Sequence, residues 1–274
     1  MSVQNGPEIL LVGCGKMGQA MLAGWLEGGA IGHATVVEPG GLPTALADDA
    51  RVRLLEDPPE IPAEYRADLV VLAVKPQIMP VAAPTYRAIV ARGAAVLSIA
   101  AGKTLAGFAD WYGDGAAVVR AMPNTPAAIG RGISVAIANR KVTPVQRALC
   151  DRLLAAVGAV EWVADEGLLD IVTALSGGGP AYVFLLIEAL AVAGAKAGLP
   201  EALAMRLARE TVSGSGELAR LSPDSSAAQL RQNVTSPKGT TLAALEVLMA
   251  ADGIQPIFDA AIAAATARSR ELAQ

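Results

Sequence analysis

The sequence predicts an α/β fold in which an N-terminal doubly wound sheet is followed by an all-helical C-terminal domain. Short apolar runs alternate with helical patterns through the first part of the chain. Beyond residue 168 no strand pattern is convincing, and the apolar residues follow helical spacing instead. We therefore expect two domains, residues 1–165 and residues 166–274. No composition-biased linker marks the boundary, so close docking is expected.

The individual elements follow from local composition and from turn residues at their ends. Strands are expected at residues 9–12, 34–37, 69–74, 95–99, 117–120, 133–137 and 160–163. A helix follows residue 18, and another begins at the Thr143-Pro144 pair, where a capping side chain precedes a first-turn proline. In the second part, helices are expected at residues 168–175, 180–197, 200–219, 240–250 and 255–272.

A glycine-rich turn, Gly13-Cys14-Gly15-Lys16-Met17-Gly18, lies between the first strand and the first helix. This is the setting that a dinucleotide fingerprint requires, and it makes the predicted sheet a Rossmann-type one. Gly13 allows the turn, Gly15 lets the backbone approach a pyrophosphate, and Gly18 lets helix and strand pack closely. Lys16 and Met17 supply N–H groups at the helix start. The flanking elements favour this interpretation over a chance glycine turn.

Glu38 ends the second strand, about 20 residues beyond Gly18, where an acidic side chain reaches the adenosine ribose hydroxyls. Its carboxylate would repel a 2′-phosphate, and residues 39–43 contain no Arg or Lys to bind one. Glu38 therefore favours NADH over NADPH. The alternative is a surface glutamate at a strand end.

Composition is that of a soluble cytoplasmic enzyme. Of 274 residues, 53% are hydrophobic and 4% aromatic, and the net charge of −4 includes no long block of one sign, which disfavours nucleic acid as a partner. The longest apolar run, residues 183–195, contains Glu188 and is too short to span a bilayer. The N-terminus lacks the basic and apolar regions of a secretory signal. Cys14 and Cys150 are far apart, so neither a metal site nor a disulfide is expected.

Two loops that follow predicted strands carry residues suited to ligand binding, since open α/β sheets bind ligands at the carboxyl ends of strands. The first is Ala73-Val74-Lys75-Pro76, whose lysine can hold a phosphate, a ribose or a carboxylate. The second contains Asn124 between two prolines. Asn124 can bind a carboxamide or build a turn, and the sequence leaves both open.

Two further segments lie in or near the helical part. Ser176 precedes three glycines and Pro180, which fits either a ligand site with Ser176 as a helix cap or close helix packing. Hydroxyl groups and free N–H groups gather in residues 233–241, just before an amphipathic pattern, which suits a carboxylate ligand. For residues 233–241 taken alone, ordinary helix capping is slightly the better explanation.

The combination resembles the pyrroline-5-carboxylate reductase family nearly from end to end. The resemblance is carried, in the expected order, by residues 13–18, 73–76, 98–102, 120–126, 173–182 and 234–241. It implies a helical C-terminal dimerisation domain that interlocks with that of a partner, giving a homodimer or a ring of dimers. It also implies hydride transfer from NADH or NADPH to the imine carbon of 1-pyrroline-5-carboxylate, which gives L-proline.

The resemblance further assigns roles to individual residues. It implies that the substrate carboxylate is bound by Val234, Ser236, Gly239, Thr240 and Thr241, and that the Thr241 hydroxyl acts near the imine nitrogen. Residues 73–76 and Asn124 would border the nicotinamide end, and Ala100 would also bind the cofactor. Because a protonated imine is already electrophilic, a site without histidine is sufficient.

Three positions depart from the family pattern. Gly178 stands where serine is frequent, Lys238 stands where a small residue is usual, and Glu38 favours NADH where many relatives use NADPH. Other activities fit less well. A β-hydroxy acid dehydrogenase needs a lysine and a nearby asparagine after the glycine run, but no asparagine follows Lys196 until Asn233. A non-catalytic dinucleotide sensor would leave residues 236–241 without a role.

Overall fold

The structure is a computed structural model that describes residues 6–272. Eight strands form one sheet in the order β3-β2-β1-β4-β5-β6-β7-β8. Their bounds are β1 Glu8–Val12, β2 His33–Val37, β3 Val52–Leu55, β4 Leu69–Leu72, β5 Ala95–Ser98, β6 Val118–Met122, β7 Gly132–Ala138 and β8 Gly158–Trp162. The order of the first six strands is that of a doubly wound dinucleotide-binding sheet, so the predicted fold class is confirmed.

The helices surround the sheet and then make up the rest of the chain. Their bounds are α1 Lys16–Glu27, α2 Thr44–Ala47, α3 Met79–Thr85, α4 Arg87–Ala91, α5 Leu105–Tyr112, α6 Pro144–Ala155, α7 Leu168–Val172, α8 Gly179–Lys196, α9 Glu201–Leu221, α10 Ala227–Asn233, α11 Thr240–Leu248 and α12 Ile254–Leu272. A π turn, Thr173–Gly177, lies between α7 and α8.

The elements missed from the sequence include strand β3 and helix α10, and the short helices α2 to α5 were not predicted individually either. Strand β3 has four residues, lies at the sheet edge and contains Arg53, so it lacks an apolar run of recognisable length. Helix α10 has seven residues, of which most are polar or alanine, and no apolar stripe. Ser226 caps α10 by accepting a hydrogen bond from the Gln229 N–H at 3.1 Å. Both elements depend on neighbours and caps more than on hydrophobic patterning.

The contacts divide the chain into two compact units, and the first contains the sheet, α7, the π turn and residues 265–272. Apolar side chains bury both faces of the sheet, as parallel strands require. Trp25 and Met21 of α1 lie in the core on one face, whereas Tyr86 and Phe108 lie in the core on the other. Strands β1 and β4, at the centre of the sheet, are almost wholly buried.

Strand β7 runs antiparallel to β6, whereas the other neighbouring strands are parallel. The connection between them is a short 3₁₀ turn, Thr125–Ile129, which ends at Gly130 in the left-handed conformation. A connection of this length cannot make the crossover that a parallel pair needs, so the chain reverses. The reversal places residues 122–126 in a tight loop at the carboxyl end of β6.

The second unit, residues 178–264, is helical. Helices α8 and α9 pack closely, and a Cβ built on Gly194 would lie 3.3 Å from the Ala204 Cβ. The residues buried in this unit are all small, namely Pro180, Ala191, Ala204 and Ala208. Large apolar side chains, including those of Phe184, Leu185 and Leu221, are exposed. The helices of this unit therefore carry apolar side chains that are exposed among the described residues 6–272.

The π turn keeps the chain helical through the region where the sequence predicted two separate helices. The resulting stretch, Leu168–Lys196, is long and apolar enough to cross a membrane by length and composition alone, although core helices of soluble proteins pass the same test. Residues 183–195, which the sequence predicts to be too short to span a bilayer, therefore lie within a longer helix.

Candidate functional site

The three fingerprint glycines meet different steric constraints. Gly13 has φ +84°, and a Cβ there would lie 2.7 Å from Val74 Cγ1. A Cβ on Gly18 would lie 2.7 Å from the Gly13 carbonyl oxygen. A Cβ on Gly15 would meet nothing within 4 Å. Gly13 and Gly18 therefore serve the turn and the packing, whereas the backbone at Gly15 faces open space that a ligand can approach.

Helix α1 begins at this loop with its first N–H groups uncapped by side chains. Gly15 is the N-cap residue, it has no capping side chain, and the first turn contains no acidic residue. The N–H groups of Lys16, Met17 and Gly18 belong to the first turn, which has no intrahelical acceptors to offer them. Together with the helix dipole, they form a site for an anion such as a pyrophosphate.

Glu38 lies beside the glycine loop. Its Oε2 accepts a hydrogen bond from the Cys14 N–H at 2.6 Å, and its Oε1 accepts one from the Gly40 N–H at 3.0 Å. Because β1 lies between β2 and β4, the end of β2, the glycine loop and residues 73–76 occupy neighbouring positions at one edge of the sheet. The carboxylate is thus held beside the glycine loop at the end of β2.

The Cys14 thiol, within the glycine loop, is buried and is expected to be unreactive. Burial, with a smaller contribution from the Glu38 carboxylate, raises its pKa from 9.0 to about 12. Burial also raises the pKa of Cys150 from 9.0 to about 12. Since the folded state holds these protons more tightly than the unfolded state, their contribution to stability is complete below pH 9 and is lost as the pH rises toward 12.

We expect neither thiol to react with a disulfide reagent in the folded protein at pH 8. In urea, where both thiols regain an ordinary pKa, two thiols per chain should react within minutes. The reaction is followed by the absorbance of the released thiolate. Rapid labelling of one thiol without denaturant would contradict the buried, protonated state of Cys14 or Cys150.

The loop after β4 is a turn held by its own backbone. The Ala73 N–H donates to the Val12 carbonyl at 2.8 Å, and the Ile78 N–H donates to the Lys75 carbonyl at 2.9 Å. Lys75 is exposed, and its ammonium group forms no ion pair within residues 6–272. The lysine is therefore available for an anionic ligand.

Asn124 uses both ends of its amide for internal contacts. Its Oδ1 accepts a hydrogen bond from the Ile133 N–H at 2.9 Å, and its Nδ2 donates to the Ser176 carbonyl at 3.3 Å. These bonds tie the loop after β6 to β7 and to the π turn. The structure thus gives Asn124 a loop-building role, one of the two interpretations that the sequence left open.

The π turn replaces the cap that the sequence predicted. The Ser176 hydroxyl donates to the Val172 carbonyl at 3.1 Å, and α8 starts without a side-chain cap. The prediction that Ser176 caps the following helix was therefore wrong, because its hydroxyl bonds backward along a helix that does not stop. A Cβ on Gly177 would lie 2.7 Å from Met122 Cε, so close packing explains at least this glycine.

One charged pair near this edge was absent from the predicted site. Arg120 of β6 is only 8% exposed, and its Nη1 forms an ion pair with Glu166 Oε1. The same carboxylate oxygen accepts a hydrogen bond from the Leu105 N–H at 2.7 Å. The signal in the sequence was an arginine at the end of an apolar strand, but nothing there identified its partner.

In the second unit, residues 234–241 form the predicted cluster at the start of α11. Gly239 is the N-cap residue, and its N–H donates to the Ser236 carbonyl at 3.0 Å. The Ser236, Thr240 and Thr241 side chains are exposed, and their hydroxyls make no hydrogen bond within residues 6–272. Lys238 has φ +60°, unlike any other non-glycine residue in the described part of the chain. Val234 is exposed as well.

The sheet order and the glycine loop together define a dinucleotide-binding domain. In agreement, residues 8–102 match a family described as NADP oxidoreductase, coenzyme F420-dependent. Residues 166–272 match the pyrroline-5-carboxylate reductase dimerisation family. The protein therefore falls in the class of enzymes that use a nicotinamide cofactor.

Similar proteins narrow the class. A pyrroline-5-carboxylate reductase from Pseudomonas aeruginosa is 38% identical over 98% of this chain and 97% of its own length. The structure of one from Coxiella burnetii is 34% identical with a TM-score of 0.89, covering 98% of this chain and 100% of that chain. The crystal structure of a Plasmodium falciparum pyrroline carboxylate reductase with NADP bound is 28% identical with a TM-score of 0.81. It covers 98% of this chain and 100% of that chain. The chain belongs to the pyrroline-5-carboxylate reductase family, as its motifs predicted.

Proposed function

We propose that the protein reduces 1-pyrroline-5-carboxylate to L-proline with a reduced nicotinamide cofactor, the last step of proline biosynthesis. The observation that carries this proposal is family membership over nearly the full chain, at 38% identity to a reductase of this name. The open space at the Gly15 backbone and the uncapped start of α1 support the proposal that the protein binds a nicotinamide cofactor.

When bound, the cofactor supplies a hydride to the imine carbon, and the imine nitrogen carries the proton that makes that carbon electrophilic. The chain's own residues bind and orient the two ligands. We assign the pyrophosphate to Gly13, Gly15, Lys16, Met17 and Gly18, and the ribose to Glu38. We assign the nicotinamide end to residues 73–76, Ala100 and the loop that Asn124 organises.

We assign the substrate carboxylate to the start of α11, where the Ser236 hydroxyl, the Thr240 and Thr241 N–H groups and the helix dipole all favour negative charge. Val234 and Gly239 border this position. The Thr241 hydroxyl is the group that we propose to hydrogen-bond near the imine nitrogen. It orients the nitrogen and needs no pKa of its own near neutrality.

The assembly and location follow as parts of the same proposal. The name of the dimerisation family and the uncovered apolar faces of α8 and α9 support a homodimer or a ring of dimers. The domain boundary is proposed at residues 165 and 166, where that family's match begins, although the contacts divide the chain at residues 177 and 178. We place the enzyme in the cytoplasm and propose neither nucleic acid nor membrane as a partner.

We further propose that NADH is used better than NADPH. The Glu38 carboxylate is held by the Cys14 and Gly40 N–H groups, so it does not turn away easily from a 2′-phosphate. No Arg or Lys occurs in residues 39–47 to neutralise such a phosphate. Repulsion between a fixed carboxylate and a phosphate dianion favours the unphosphorylated ribose.

Replacing Glu38 with glutamine should lower the ratio of kcat/KM with NADH to kcat/KM with NADPH by about tenfold. The amide keeps the shape and one acceptor oxygen but removes the charge, so the gain should appear mainly with NADPH. Steady-state rates with each cofactor measure the ratio. An unaltered ratio would mean that the carboxylate does not contact the ribose.

The proposed reaction itself is tested by adding 1-pyrroline-5-carboxylate to purified protein and following the loss of nicotinamide absorbance with NADH and with NADPH. Turnover, together with L-proline as the product, would establish the reductase. Cofactor binding without turnover would refute it and favour the dinucleotide sensor.

A further inference from the structure

Arg120 and Glu166 lie at the carboxyl edge of the sheet, close to the loops assigned to the cofactor. Arg120 is paired in register with Ser98, the last residue of β5, and with Ile137 of β7. Its guanidinium is almost fully buried and is paired with Glu166. A buried guanidinium needs a charged partner, and its ion pair with Glu166 restrains the Glu166 carboxylate.

Glu166 in turn holds the start of α5. Leu105 is the first residue of that helix, and its N–H would otherwise lack an intrahelical acceptor. It donates to Glu166 Oε1 at 2.7 Å, while the Gly107 N–H donates to the Thr104 hydroxyl at 3.1 Å. The carboxylate therefore fixes the far end of residues 99–104, the loop that connects β5 to α5.

The near end of this loop is fixed by the sheet. The Ile99 N–H donates to the Leu72 carbonyl of β4 at 3.2 Å, and the Ala100 N–H donates to the Ser98 hydroxyl at 3.3 Å. The loop thus begins beside residues 73–76 and ends at the Glu166 carboxylate. Between these two points lie Ala100 and Gly102, the latter with φ +70°.

We propose that Arg120 and Glu166 are a positioning pair for hydride transfer: through Glu166, the pair holds the loop of residues 99–104 in the place where it borders the nicotinamide. This inference rests on the proposed function, because residues 99–104 are assigned to the nicotinamide end by that proposal. Neither side chain is proposed to contact the substrate or the cofactor. Their effect acts through the backbone of the loop.

The test uses a double variant, Arg120→Met with Glu166→Met. The Arg120 side chain is 10% exposed and that of Glu166 is 30% exposed. Replacing both partners of such an ion pair with apolar side chains is often neutral for stability, so the variant should fold, but it removes the acceptor of the Leu105 N–H. We expect kcat to fall about tenfold and the deuterium isotope effect on kcat to rise, since misalignment slows the chemical step. Binding of NADH should weaken about fivefold, whereas binding of ADP-ribose, which lacks the nicotinamide, should change less than twofold.

A second variant, Glu166→Asp, covers the case in which the double variant does not fold. It keeps the charge but shortens the side chain, so the carboxylate cannot reach both Arg120 and Leu105, and kcat should fall in the same way. The matched control is Asp49→Asn, which breaks the Asp49–Arg51 pair elsewhere in the first unit and should leave kcat unchanged.

The proposal is overturned if the folded variants show the wild-type kcat, isotope effect and ratio of NADH to ADP-ribose affinity. It is also overturned if NADH and ADP-ribose weaken equally, since that result indicates a general structural role. The two affinities are measured without any imine substrate. Failure of the wild-type protein to reduce 1-pyrroline-5-carboxylate would therefore refute the proposed function. The comparison of NADH and ADP-ribose affinities would still test the positioning role of the pair.

Discussion

Replacing Gly15 with alanine should lower the affinity for NADH at least about tenfold while leaving the thermal midpoint of unfolding unchanged. The backbone of Gly15 has φ −64°, which alanine adopts freely, and an added Cβ would meet no atom of the protein within 4 Å. The methyl group would instead occupy the open space at the start of α1, where the pyrophosphate approaches the N–H groups. Calorimetric titration with NADH and a thermal melt measure the two quantities.

Gly18→Ala is the matched comparison. Its Cβ would lie 2.7 Å from the Gly13 carbonyl oxygen, a backbone atom that cannot move aside without shifting the loop. We expect this variant to lose both cofactor affinity and about 1–3 kcal/mol of stability. If Gly15→Ala instead bound NADH as the wild type does, the pyrophosphate would have to lie elsewhere than on this loop.

Replacing Thr241 with valine should lower kcat by about a hundredfold with little change in the affinity for NADH. Valine keeps the shape and removes the hydroxyl, which makes no hydrogen bond within residues 6–272 and is exposed at the start of α11. If that hydroxyl orients the imine nitrogen, its loss should reduce turnover and leave NADH binding at the glycine loop unaffected. Steady-state kinetics and NADH titration separate the two effects.

The control is Thr211→Val, an equally conservative change at an exposed position of α9. It should leave turnover unchanged. A wild-type kcat in Thr241→Val would remove this residue from the mechanism, and an equal loss in both variants would indicate damage to the helical unit rather than to a site.

The sequence predicts best those elements whose local residue pattern has a single structural explanation, such as an apolar run that forms a buried strand. Residues 9–12 are wholly apolar because β1 is buried on both faces, and the glycine turn follows because a strand must pass directly into a helix there. Strand β3 and helix α10 are short and mixed in composition, so their patterns do not differ from those of loops. Neighbouring strands and a serine cap, rather than periodicity, produce them.

The same distinction separates the predicted parts of the site from the missed parts. Gly13, Gly18 and Glu38 act at fixed spacing within one unit of strand, helix and strand, so spacing finds them. Arg120 and Glu166 are 46 residues apart and meet only through the sheet register, which a single sequence does not contain. Ser176 was assigned a capping role because glycines suggest a helix end, whereas the π turn carries the helix through them.

The packing of α8 and α9 has a consequence for how the protein is made. Alone, residues 178–264 bury only proline and alanine side chains, which is too little apolar surface to offset the entropy of ordering α8 to α11 and the first part of α12. If a second copy covers the remaining apolar faces, as proposed, pairing supplies the missing burial. The folding of a newly synthesised chain is then complete only after it pairs with a second copy. The stability of the enzyme therefore depends on its concentration in the cell.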